Sequence, residues 1–222
     1  MKELKKFGGF AAFYLAAAYI IGLILFVIVL DYPSITDPAQ KLAVLVENQM
    51  VIFSTNLLLY VFLGLFLVVL TLALHDHLKS GAPALMQVAT VIGIIWAGSL
   101  IASGMISNAG IDLVVALYAK DPAQAMLAWE TIETIATNGI GNGNGEILGG
   151  VWTLLVSLAA LRSGGLTKAL NILGLLIGAV GIITLIPGLK DLVGIFGIGH
   201  IVWYIWVGIV LLSGNTSNSS KG

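Results

Sequence analysis

Ionisable and amide side chains set inside long apolar runs are the residues of this chain whose types could do chemistry. Polar groups are expensive in hydrocarbon, so one kept there points to a ligand, an ion or a proton path. Glu146 follows the glycine- and asparagine-rich run 138–145 and precedes Ile147, Leu148, Gly149, Gly150, Val151 and Trp152. It stands in the first turn of an apolar helix. There a carboxylate either meets the positive end of the helix dipole or faces a cavity as proton acceptor or cation ligand. His200 lies about six residues into another apolar run, at a similar depth. Asn56 and Asn108 place amides within or at the end of two more runs, with Asp112 close behind. Trp203 continues the His200 face and Trp152 follows Glu146. Indoles away from the interfacial belt, where Trp usually sits, read as core packing or as the border of an apolar ligand pocket. The expected ligand-binding set is therefore Glu146, His200, Asn56, Asn108, Trp152 and Trp203, gathered around one outward-facing polar pocket.

Other chemistry is excluded. His75 and His77 are two apart and do not share a helix face, so they read as a solvated helix end with Asp76 and Lys79 beside them. There is no cysteine, which removes disulfides, thiolate metal sites and thiol catalysis. The run 138–145 lacks the Gly-Lys-Ser/Thr ending of a phosphate loop and the spacing of a dinucleotide fingerprint. No nucleophile-and-base set and no metal motif stand out, so no cofactor is assigned. No basic patch suits nucleic acid.

The elements that position these residues are read from composition. Hydrophobic residues make up 59% of the 222 and charged ones 9%, against about 25% charged in soluble domains; mean hydropathy is +1.04. A bilayer core needs roughly 20 apolar residues per helical span. Six windows qualify: 8–30, 50–74, 84–107, 146–161, 168–187 and 194–213, the fourth being short. Their continuous Leu, Ile, Val, Ala and Gly runs are unlike the alternating segments of a membrane barrel. The expected fold is an all-α integral membrane bundle of six transmembrane helices, one domain over 1–214, with a disordered cytoplasmic tail over 215–222. The first window is too long for a signal peptide and reads as a retained span.

Lys and Arg accumulate in cytoplasmic loops. With the N-terminus inside, Lys2, Lys5, Lys6, Lys79, Arg162, Lys168 and Lys221 are inner, and only Lys41, Lys120 and Lys190 are outer. Both termini are then cytoplasmic in a multi-pass cell-membrane protein. Two outer connections carry short helices that begin alike, Asp37-Pro38-Ala39-Gln40 and Asp121-Pro122-Ala123-Gln124, with Asp as N-cap and Pro at the first helical position. In the second, Met126, Trp129, Ile132 and Ala136 form a stripe with Glu130, Glu133, Thr134 and Thr137 largely off it, as in an amphipathic helix lying at the outer surface. Small residues at Gly174, Gly178 and Gly181, at Gly93 and Ala97, and at Gly98 and Ala102 mark where helices pack closely.

Glu146, Gly149, Gly150 and Trp152, then Leu161 to Gly164, then Lys168, Leu170, Leu173 and Gly174 carry a likeness. Through them the stretch from Glu146 to Leu212, the C-terminal third, resembles a bacterial family of six-helix membrane proteins described only as a domain of unknown function. The resemblance implies six helices and supplies no activity.

Three functions remain. The first is a membrane module that binds a small apolar or weakly polar molecule, or packs as a subunit of a larger membrane complex or homo-oligomer. The second is a transporter or channel-like protein with an outward-facing polar pocket. The third is an intramembrane enzyme using Glu146 and His200. Beyond such a small molecule, the lipid bilayer is the expected partner.

Overall fold

The structure, a computed structural model, describes residues 2–141 and 145–213. Among them every regular element is helical. Among the described residues, four helical stretches are long and apolar enough to cross a membrane: Lys2–Val29, Gln49–Leu78, Pro83–Tyr118 and Lys190–Ser213. The fourth and fifth apolar windows form the shorter helices α7 (Ile147–Ser163) and α8 (Lys168–Ile183). The expected tail over 215–222 lies outside the described residues. The chain divides into two compact units, with described residues 2–17, 65–97 and 145–213 in the first and 18–64 and 98–141 in the second.

The first unit holds the start of α1 (Lys2–Leu23), most of α4 (Leu63–Leu78), the first part of α5 (Pro83–Tyr118), and α7, α8 and α9 (Val193–Ser213). Its centre is the packing of α8 against α7 and α9. A Cβ on Gly150 would come within 2.8 Å of the Gly178 carbonyl, and one on Gly178 within 2.7 Å of the Gly150 carbonyl. The two helices thus meet backbone to backbone, the contact that small residues permit where no hydrophobic drive separates helix from lipid. Gly98, the first residue of α5 in the second unit, has in contrast nothing within 4 Å of where its Cβ would be. The α7–α8 turn closes at Gly164, whose φ of 69° is the left-handed cap that glycine adopts without a Cβ penalty. Gly165 presents its carbonyl to His77 Nε2 at 2.9 Å, tying this turn to the end of α4. His75 bonds Thr90 Oγ1 at 2.8 Å through Nδ1, and Lys79 pairs with Asp76 at 2.6 Å. The two histidines expected at a solvated helix end are therefore engaged in packing.

The second unit is built around α2 (Pro38–Glu47) and α6 (Pro122–Ile132). Both start as their Asp-Pro sequences dictate. Asp37 accepts from Ala39 N at 3.2 Å, and Asp121 accepts from Ala123 N and Gln124 N at 3.1 Å each; such a cap contributes about 1 kcal/mol. The two helices bury their apolar sides together: Leu42 and Leu45 of α2 with Ala125 and Trp129 of α6, Ile52 of α3 (Gln49–Asn56), and Ile111 and Val114 of α5. Burying a side chain of this size contributes roughly 1.5–3 kcal/mol. That core explains why α5 runs on past the expected end at 107 to Tyr118. At about 1.5 Å per residue its 36 residues reach about 54 Å, well beyond the roughly 30 Å of a hydrocarbon core.

Three helical stretches of this unit are wound as π-helix: π1 (Ile24–Val29), π2 (Leu57–Phe62) and π3 (Glu133–Ile140). The i to i+5 bonding is seen directly in Leu30 N to Leu25 O at 2.8 Å and Gly141 N to Ala136 O at 2.7 Å. π-helix is rare and concentrates at functional sites. The expected stripe of Met126, Trp129, Ile132 and Ala136 faces inward: Met126 and Ile132 pack on the core. Trp129 and Ala136 are buried, and Leu127 and Ile135, which lie off the stripe, are exposed. Glu133 and Thr137 follow Trp129 at four-residue spacing, and all three line one cavity.

Candidate functional site

The second unit contains a cavity of about 280 Å³, walled by Phe26, Tyr32, Ile52, Asn56, Tyr60, Ser107, Trp129, Glu133 and Thr137. Each π stretch supplies part of the wall: Phe26 from π1, Tyr60 from π2, and Glu133 and Thr137 from π3. The size is just below the ~300–1,000 Å³ typical of ligand sites, and the mainly apolar wall with a few convergent polar groups is the pattern of such sites.

Tyr32 enters from a short 3₁₀ turn, Tyr32–Ser34, that follows Asp31. Asp31 has φ 46° and ψ 33°, left-handed backbone that Asp tolerates better than most residues. Its carbonyl accepts from Ser34 Oγ at 2.8 Å. The Tyr32 hydroxyl donates to Glu133 Oε1 at 3.4 Å, near the limit of a hydrogen bond. Burial, and then the charge of the Glu133 carboxylate, push that hydroxyl up to about 12 from an ordinary value of 10.0. Phe26 meets the Tyr32 ring edge-on, with centroids 6.1 Å apart and planes at 74°. Lys41 Nζ lies 5.0 Å from the same ring's centroid. Among the described residues Glu133 forms no ion pair.

On the other wall, Asn56 Nδ2 donates to Asn108 Oδ1 at 3.0 Å, and Asn108 Nδ2 donates to the Phe53 carbonyl at 3.1 Å. The two expected amides are thus brought together, Asn56 on the cavity and Asn108 behind it, holding α3 to α5. Asp112 is exposed. Glu133, Tyr32, Tyr60, Ser107 and Thr137 were not among the expected site residues. The signal for Glu133 was its spacing: it sits four residues from Trp129 and four from Thr137, on one side of a helix.

The remaining expected residues lie in the first unit. His200 is fully buried. Its Nε2 lies 2.9 Å from Thr153 Oγ1 and its Nδ1 3.1 Å from the Phe196 carbonyl. That carbonyl can only accept, so Nδ1 carries a proton and donates. In the neutral ring Nε2 then accepts from Thr153, whose single hydroxyl proton also faces the Gly149 carbonyl at 2.8 Å. Aromatic rings surround the imidazole: Phe196 at 4.2 Å, Tyr204 at 5.0 Å, Trp203 at 6.1 Å and Trp96 at 6.2 Å between centroids. Trp152 joins through Trp96 and Trp203, 5.7 Å from each. This is dense aromatic packing around a bonded histidine. Glu146 stands at the N-cap of α7, where its backbone N–H donates to Thr184 Oγ1 at 2.9 Å and its side chain makes no capping bond. Glu146 is tied to Thr184 through its backbone N–H, and His200 to Thr153 and Phe196 through its ring. The six expected residues divide into an amide pair in the second unit and a histidine–tryptophan cluster with Glu146 in the first. Among the described residues, no group of three His, Asp or Glu side chains could hold a metal ion.

The family model described as Domain of unknown function (DUF4386) matches residues 10–214. The chain belongs to that family. The match runs through all six apolar windows, which corrects the expectation that the likeness is confined to the C-terminal third. The narrower reading arose because the polar and small residues that punctuate an otherwise uniform apolar sequence are densest after Glu146. The match carries no count of spans. No curated protein and no solved structure matches the chain.

Proposed function

We propose that this protein is a multi-pass membrane module that binds a small molecule in the cavity of its second unit. The observation that carries this reading is the cavity itself: a carboxylate, an amide and hydroxyls converge inside aromatic walls, at the junction of three π-helical stretches. Outward-facing Phe7, Phe10, Ile28, Met50 and Val91 fit a lipid surround. The test is a panel of small apolar and weakly polar molecules offered to the purified protein in nanodiscs. Saturable binding that Thr137→Phe abolishes supports the reading. No saturable binding, or binding indifferent to Thr137→Phe, overturns it.

The module spans the membrane six times with both termini cytoplasmic. Two contacts support this topology. His77 reaches Gly165, joining the loops after the second and fourth spans. α2 packs on α6, joining the segments after the first and third. At 17 and 16 residues, α7 and α8 are near the lower limit of a spanning helix. The chain lacks cysteine, so single cysteines report cleanly: one at Lys120 labels with impermeant thiol reagents in intact cells, and one at Ser80 does not. The opposite pattern would refute the orientation.

A second reading, a transporter, is favoured by the π stretches bordering the cavity, since a π turn has an α-helical alternative close in geometry. Uptake into proteoliposomes of a molecule that binds the cavity separates a carrier from a static binder.

A further inference from the structure

We propose that the occupant of this cavity is a small organic cation, an alkyl- or arylammonium, held by the Glu133 carboxylate against the aromatic rings of Phe26, Tyr32, Tyr60 and Trp129. The inference rests on the reading that the cavity binds a small molecule, and it names the chemical class.

The chemistry is that of an aromatic cage. Four aromatic side chains and one carboxylate share a wall of nine residues around about 280 Å³. The negative faces of aromatic rings attract ammonium groups, most strongly where water is excluded. The protein already uses one of these rings in that way: Lys41 Nζ sits 5.0 Å from the Tyr32 centroid, though Lys41 is not part of the cavity wall. Glu133 is the only charged group in the wall and makes no ion pair among the described residues. A neutral guest would leave that carboxylate with the long Tyr32 bond of 3.4 Å as its one side-chain hydrogen bond. An anion would be repelled. A metal ion would find one carboxylate and no supporting cluster among the described residues. An ammonium neutralises the carboxylate while its organic part covers the rings.

The experiment compares three probes of nearly equal shape on the full-length protein in nanodiscs: benzylammonium, benzyl alcohol and benzoate. Binding is read by calorimetry and by tryptophan fluorescence, with Trp129→Phe identifying the reporter. Benzylammonium binds saturably, benzyl alcohol at least about tenfold more weakly and benzoate not at all, the scale of one charge-assisted contact. Glu133→Gln removes the preference for the ammonium over the alcohol. Should that variant fail to fold, the comparison on the unaltered protein still decides. Equal binding of ammonium and alcohol overturns the cation assignment and leaves the binding module standing. Saturable binding of none of the three overturns the assignment, and the wider panel on the Thr137→Phe variant then decides whether the module reading falls with it.

Discussion

Asn56 and Asn108, 52 residues apart in sequence, are joined by one hydrogen bond of 3.0 Å in which Nδ2 of Asn56 donates to Oδ1 of Asn108. The bond from Asn108 Nδ2 to the Phe53 carbonyl fixes which end of Asn108 is the amide nitrogen, because a carbonyl can only accept. Replacing Asn108 by Leu strands both partners in a buried setting, at about 1–3 kcal/mol for each unsatisfied group. Asn56→Ala together with Asn108→Leu should therefore cost less than the sum of the two, with a coupling on the order of 0.5–3 kcal/mol. Thermal denaturation in detergent, run as a double-mutant cycle, measures it. Additive losses would mean that the bond does not hold α3 to α5.

Tyr32 gives a signal of its own. Its hydroxyl is held up to about 12, so the folded protein prefers the neutral phenol. A group raised in the folded state contributes its stability fully below the unfolded value near 10.0, and that contribution is lost as pH rises from there to about 12. Ultraviolet titration of tyrosinate should show a late-ionising component that Tyr32→Phe removes. Glu133→Gln should bring that group down part of the way, because burial, the larger cause, remains. A titration unchanged by Tyr32→Phe would contradict the assignment.

His200 depends on Thr153 for its second ring nitrogen. Thr153→Val removes the hydroxyl at nearly constant shape and should destabilise the protein by about 1–3 kcal/mol, whereas Thr153→Ser should retain most of the stability. Chemical denaturation followed by tryptophan fluorescence reports on this directly, since Trp96 and Trp203 surround the imidazole. Equal behaviour of Val and Ser would show that the hydroxyl is not used.

Two glycine substitutions should have opposite signs. Gly178→Leu drives a side chain into the Gly150 carbonyl and should cost more than about 1–3 kcal/mol, the usual range for overpacking. Gly98→Ala meets nothing within 4 Å and should raise stability by about 0.5–1 kcal/mol through helix propensity alone. Melting temperatures of the two variants in one detergent make the comparison. A neutral Gly178→Leu would mean that α7 and α8 do not approach as closely as described.

Helix placement was legible because apolar length is a strong, local signal, as were the Asp37 and Asp121 caps. Asn56 and Asn108 were found for the reason that makes them matter: amides are conspicuous among Leu, Ile and Val. Glu133 was missed because, among Glu130, Thr134 and Thr137, a carboxylate reads as part of the polar face of an amphipathic helix. No residue pattern announces a π turn. Tyr32 was missed because it leaves a turn set by the backbone of Asp31, and sequence spacing does not aim a side chain. The grouping of His200 with Trp152 and Trp203 depends on which helices of one hydrophobic character become neighbours, and uniform character leaves that choice open.

The π stretches also bear on how such a site could arise or vanish. A π turn holds one residue more than the α turn it replaces, so deleting a single codon within Leu57–Phe62 would restore the ordinary ladder. Each residue of an α-helix advances about 100° around the axis, so the excision would swing Asn56 and Tyr60 to new bearings relative to each other while sparing the apolar composition. Among relatives, a one-residue gap at this position would then separate chains that keep the cavity from chains that have closed it, a difference that substitution patterns alone would hide.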